Sequence, residues 1–120
     1  MPTRNDALKK SLSQSSELTI TVIGRRSGRR ISIPIWFFLE SDNLYLLPVK
    51  GSETQWYKNV LKNPAIRIDA GGAEAELQAV PITDPSQVSS VVEKFRGKYG
   101  RNDVKKYYST LDVAVLAQTQ

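Results

Sequence analysis

Between two β-patterned runs the chain reads Gly24-Arg25-Arg26-Ser27-Gly28-Arg29-Arg30. Glycine lets a backbone turn tightly and expose its N–H groups. Arginine supplies a planar fork of donors that matches phosphate or carboxylate. The run leaving this turn, 31–40, carries Pro34, Trp36 and Phe38 at period two, which puts all three on one face of a strand. An anion clamp beside an aromatic wall suits a phosphorylated, planar ligand. Chemistry alone leaves a second reading of each part open. The arginines could simply keep a hairpin tip soluble, and a strand covered on both faces would bury the aromatics.

Further along, Lys50-Gly51-Ser52 stands just before a helical pattern and offers backbone N–H groups, the positive end of a helix dipole and an ammonium. Within that pattern Trp56 and Tyr57 suit a core. Asn59 is spaced from Trp56 to reach a ligand or to cap a loop. The pair Tyr107-Tyr108 lies just before the last strand-like run, where a loop could close over a pocket. The chain has no histidine and no cysteine. That excludes Ser-His-Asp and Cys-His catalysis, disulfides, thiolate-held clusters and an axial haem histidine. Chemistry must then rest on carboxylates, tyrosine, lysine or a borrowed cofactor, and the cofactor fits best. Tyrosine, with an ordinary pKa near 10, keeps its proton at neutral pH and can donate it.

The elements that must position these residues follow from pattern. At 120 residues, 40% hydrophobic and 24% charged, the chain has the size and composition of one globular domain. No apolar run approaches the roughly 20 residues that span a bilayer, and no signal peptide opens the sequence, so a cytoplasmic protein without a transmembrane segment is expected. The net charge of +5 favours anionic partners and permits peripheral contact with a membrane. Outside the arginine turn the cations are scattered among acids rather than set in a stripe, so nucleic acid is not the expected partner.

Residues 1–16 read as a polar arm or short helix. Alternation predicts strands over 17–23, 31–40, 44–49, 65–70, 74–82 and 111–117. In the second of these Ile31, Ile33, Ile35, Phe37 and Leu39 form a core stripe. Helices are expected over 53–62, with Ser52 as N-cap and Trp56, Tyr57, Val60 and Leu61 as its apolar face, over 85–100, and briefly over 103–108. Gly71-Gly72 is a two-residue hairpin signal. Short hairpins without βαβ alternation predict a mainly β (α+β) domain over 17–120. Its expected core is a six-stranded antiparallel barrel with flanking helices, strand 31–40 central.

Taken together, Thr21-Val22-Ile23-Gly24-Arg25-Arg26-Ser27-Gly28, Pro34-Ile35-Trp36-Phe37-Phe38, Trp56-Tyr57-Lys58-Asn59-Val60 and Lys62-Asn63-Pro64 resemble the deazaflavin-dependent nitroreductase family over about residues 18–118. The resemblance implies the FMN-binding type of split β-barrel. It also implies the cofactor F-420, with FMN as the second choice, and hydride transfer to a quinone, nitro compound or other electron-poor small molecule. By position it assigns Arg25, Arg26, Ser27 and Arg29 to the coenzyme's charged tail, and Pro34, Trp36 and Phe38 to its ring. Lys50, Gly51 and Ser52 fall at the phosphate, Trp56 and Asn59 over the pocket, and Tyr99, Tyr107 and Tyr108 on the substrate side. The loop 49–55 is shorter than that family's pattern. A homodimer and a non-catalytic ligand-binding role stay open.

Overall fold

The computed structural model of the chain describes residues 6–119; residues 1–5 of the expected arm, and Gln120, lie outside the described residues. The order is α1 (Asp6–Ser13), β1 (Leu18–Ile23), β2 (Arg30–Ile35), β3 (Phe37–Glu40), β4 (Asn43–Leu46), α2 (Gln55–Lys62), β5 (Ala65–Ala70), β6 (Ala73–Ile82), α3 (Pro85–Tyr99), α4 (Arg101–Tyr107) and β7 (Ala114–Gln118). A single 3-10 turn, Gly51–Glu53, precedes α2. The seven strands form one curled sheet in the order β2-β1-β5-β6-β7-β4-β3, and every strand pair is antiparallel. β6 carries the curl: residues 73–78 pair with β5 and residues 79–82 with β7.

The fold is therefore mainly β with flanking helices, as the alternation predicts, but it has seven strands rather than six. The expected 31–40 strand breaks at Trp36. Nor is it central: β2 hangs on β1 at one end of the sheet and β3 on β4 at the other. The chain crosses the seam of the curl here, and one straight strand cannot serve both ladders. The expected stripe fades accordingly. Phe37 is buried, Ile33, Ile35 and Leu39 pack partly against the core, and Ile31 is exposed.

Two cores result. Inside the curl, Ile20, Val22, Leu44 and Ile68 meet Trp56 and Val60 of α2. Leu8 and Leu12 of α1 join them, each 1% exposed, so the helix in the expected arm is a plug. Outside the curl, Val88, Val91, Val92 and Phe95 of α3 pack against Leu47, Ile82 and Tyr108, which is the face their spacing predicts. Asp84 caps α3 by accepting from the Gln87 N–H, and Gly100 closes it at φ 95. α2 differs in two details from its expected form. Thr54, not Ser52, is its N-cap, and Leu61 faces solvent while Asn59 is buried.

Candidate functional site

Two clefts meet the residues singled out by sequence. The first, of about 370 Å³, is lined by Glu17, Pro34, Ile35, Trp36, Leu47, Val49, Tyr107 and Tyr108. Its size falls in the range of small-molecule sites. The break in the 31–40 strand builds it, because Trp36 turns out of the ladder toward α3 and α4. The indole stacks on Tyr99 (centroids 4.2 Å apart, planes 5° apart) and meets Tyr107 edge-on at 5.5 Å. Tyr108 is buried, tilted against Trp36 at 6.0 Å and edge-on to Phe95 at 6.1 Å. Tyr107 is 52% exposed at the mouth, beside exposed Val49. Phe38 does not line the cleft, but it packs on the same side as Trp36, against the α3 core and 5.8 Å under the Lys94 ammonium. Phe37 between them is buried in the curl, so the period of two carries on from Trp36 to Phe38.

The second cleft, of about 400 Å³, is lined by residues 23–28 of the arginine turn together with Lys62 and Asn63 at the end of α2. It holds Arg25, Arg26 and Lys62 and no carboxylate. Gly28 sits at φ 71, and Arg29 N–H donates to Ser27 Oγ, so Gly28 and Ser27 shape the turn itself. Arg25 ties the turn to α2. Its backbone N–H and Nη1 both donate to Asn59 Oδ1, at 3.1 and 2.8 Å, and Nη2 donates to Gln55 Oε1 at 2.8 Å. Asn59 thereby fastens the turn to α2. Arg26, Arg29 and Arg30 are exposed, with no carboxylate paired to them among the described residues.

The 3-10 turn lies between the two clefts along the chain and carries the expected anion cradle. Gly51 is buried at φ 56 and Ser52 follows it. The donors of Ser52 are engaged by the chain's own Asp112: N–H to Oδ1 at 2.9 Å and Oγ–H to Oδ2 at 2.7 Å. Those bonds hold the Asp112 carboxyl below its ordinary pKa. Lys50 is exposed beside Val49 of the first cleft, while Trp56 is a core residue of the curl. Pro34, Trp36, Tyr107 and Tyr108 therefore share one cleft. Arg25, Arg26 and Ser27 share another, with Arg29 close by on the turn. The length of β2 separates the two, about 17 Å at strand rise.

Burial sets the titration of the deep groups. It raises Tyr108 above its ordinary value and Tyr99 to about 12, and it lowers Lys98, whose ammonium tucks 3.5 Å over the Phe37 ring, to about 8. Sequence reasoning passed over Glu17, Leu47 and Val49 of the aromatic cleft and Asp112 of the latch. None carries a spacing signal, since they come from three separate loops: Glu17 before β1, Leu47 and Val49 after β4, and Asp112 before β7. The Lys62-Asn63-Pro64 run was visible, but its place beside the arginine turn was not.

A family model described as an uncharacterised protein conserved in bacteria (DUF2255) matches residues 8–119. The chain belongs to the DUF2255 family. No curated protein matches this DUF2255 sequence. Among solved structures it is similar to an F420-H2 dependent reductase (FDR-A), at 17% identity and a TM-score of 0.67, over 86% of this chain and 94% of that one. It is also similar to HutZ, the haem storage protein of Vibrio cholerae, at 13% identity and TM-score 0.71 over 99% and 92% of the two chains. A pyridoxamine 5'-phosphate oxidase candidate from Listeria innocua aligns at 16% identity and TM-score 0.67 over 97% and 92%. These likenesses show that this DUF2255 protein shares the fold of those three proteins.

Proposed function

We propose that this DUF2255 protein is an oxidoreductase that binds reduced F-420 and passes hydride to an electron-poor small molecule such as a quinone or nitro compound. One observation carries the reading: an aromatic cleft large enough for a planar ring lies one strand-length from a cationic cleft without carboxylates. A ligand with a ring at one end and a charged tail at the other fits that spacing. FMN, whose phosphate lies one short alcohol chain from its ring, reaches only part of the way and ranks second. The fold shared with an F420-H2 dependent reductase supports the same reading.

When bound, the cofactor supplies a hydride, a step that needs no histidine, cysteine or metal. The chain's own residues orient, shield and protonate. Trp36 and Pro34 offer the wall for the ring, Arg26, Arg29 and Lys62 the positive charge for the tail, and Val49 and Leu47 exclude water. Reduction of the acceptor leaves an anion that needs a proton. Tyr107, exposed at the mouth, is placed to hand it over, whereas buried Tyr108 holds its proton more tightly than an ordinary phenol.

Titration with oxidised F-420 and with FMN, followed by tryptophan fluorescence, tests binding; turnover of reduced F-420 with a soluble quinone tests catalysis. F-420 is expected to quench more strongly at lower concentration than FMN, and turnover to follow. Failure of both ligands to bind would sink the proposal. Binding without turnover with any quinone or nitro acceptor would favour the second reading, a storage or carrier protein, a role for which HutZ of the same fold is the precedent.

A further inference from the structure

Tyr99 backs the aromatic cleft without lining it. Its ring covers one face of Trp36 in a near-parallel stack. Its hydroxyl accepts the Phe37 N–H at 3.1 Å and directs its own proton to the Ser16 carbonyl at 2.7 Å, with the Phe37 carbonyl at 2.9 Å as alternative acceptor. Next to it, Lys98 Nζ donates to the same Phe37 carbonyl at 2.9 Å. Phe37 is the first residue of β3, directly after the break. A phenol and an ammonium from the end of α3 therefore bond the backbone of Phe37 at the seam, where β3 is the end strand of the sheet. One side chain fixes both the backbone at the break and the plane of the ring that the break exposes.

We propose that Tyr99 is the positioning residue of the aromatic cleft: it sets the orientation of Trp36, and through it the affinity for a planar ligand, without touching that ligand. The inference rests on the cleft being the ring site of the proposed function, but its structural half can be read with no ligand present. The consequence is graded. Phenylalanine keeps the stack and loses the seam bonds; leucine loses both. An aromatic pair is worth enough to shift affinity roughly 2- to 12-fold.

The test compares Y99F, Y99L and a control, V92A, which thins the α3 core without lining the cleft. Near-ultraviolet circular dichroism and acrylamide quenching of the tryptophans are measured without ligand, with W36F identifying the Trp36 share. Affinity for F-420 and FMN is then titrated. Y99L is expected to lose the Trp36 dichroic band, to raise quenching and to weaken binding roughly 2- to 12-fold. Y99F should keep the band and bind with intermediate affinity, and V92A should melt earlier with both signals and affinity intact. The proposal is overturned if Y99L leaves the Trp36 signals at wild-type values, or if V92A weakens binding as much as Y99L at an equal loss of Tm. If wild-type protein binds neither F-420 nor FMN, the proposed function fails, while the ligand-free signals still decide whether Tyr99 orients Trp36.

Discussion

Gly51 shows how much one residue type can carry. Its φ of 56 is a conformation that side-chain-bearing residues resist, and a Cβ there would stand 2.0 Å from Asp112 Oδ1. Gly51→Ala should cost about 1–3 kcal/mol, from the strained φ and the disturbed Ser52–Asp112 latch, read as a lower urea midpoint. The sequence marked Gly51 and Ser52 as an anion cradle but could not say that a carboxylate sixty positions away fills it. A second prediction concerns Tyr107. On the proposed function, Tyr107→Phe should lower turnover about 10²- to 10⁴-fold with F-420 affinity unchanged. If the mutant turns over at the wild-type rate, the proton comes from solvent.

At the scale of elements, the arginine turn divides into two jobs that look alike in sequence. Arg25 is spent on Asn59 and Gln55, so Arg25→Ala should lower Tm by loosening the turn from α2. Arg26 and Arg29 have no such side-chain partner among the described residues, so R26A/R29A should leave Tm unchanged. On the proposed function it should weaken F-420 binding, more so at low salt than at high. Equal effects of the two substitutions on Tm would refute the division. Helix α1 carries the other element-scale expectation. Leu12 is 1% exposed inside the curl, so Leu12→Ala should cost about 2–5 kcal/mol by chemical denaturation. Composition makes 1–16 look like a solvated arm, and only the position of two leucines one turn apart hints at the plug.

Over the whole molecule, burial at the end of α3 writes a pH dependence into stability. Lys98 binds its proton more weakly folded, at about 8, than at its ordinary 10.5, so between those values the unfolded chain holds more protons and Lys98 makes stability rise with pH. Tyr99 is the opposite case. Its folded value of about 12 lies above the ordinary 10, so the stability it contributes is fully present below pH 10 and is lost as pH rises toward 12. Urea denaturation at a series of pH values should show K98Q losing ground against wild type from pH 8 to 10.5. The advantage of wild type over Y99F should shrink from 10 to 12. Flat differences across those windows would refute both assignments.

The sequence by itself determined which residues alternate, where turns must fall and which chemistries are absent. Alternation over 17–23, 65–70 and 74–82, Gly71-Gly72 at φ 58 and 86, and the valine stripe of α3 are local properties, and they reappear in β1, β5, β6 and α3, the alternation of β6 slipping at Pro81 and Ile82. What the tertiary structure alone decided is where the sheet closes. At the seam the run 31–40 leaves one ladder and joins another, and no local pattern announces it, because the run alternates without interruption. That break turns Trp36 toward Tyr99 and Tyr107, leaves Phe38 against α3 but outside the cleft, and sets the arginine turn a strand-length from the aromatic cleft. Which residues share a cleft depends on contacts between segments distant in the chain, and closure of the curl fixes those contacts after the local patterns have been satisfied.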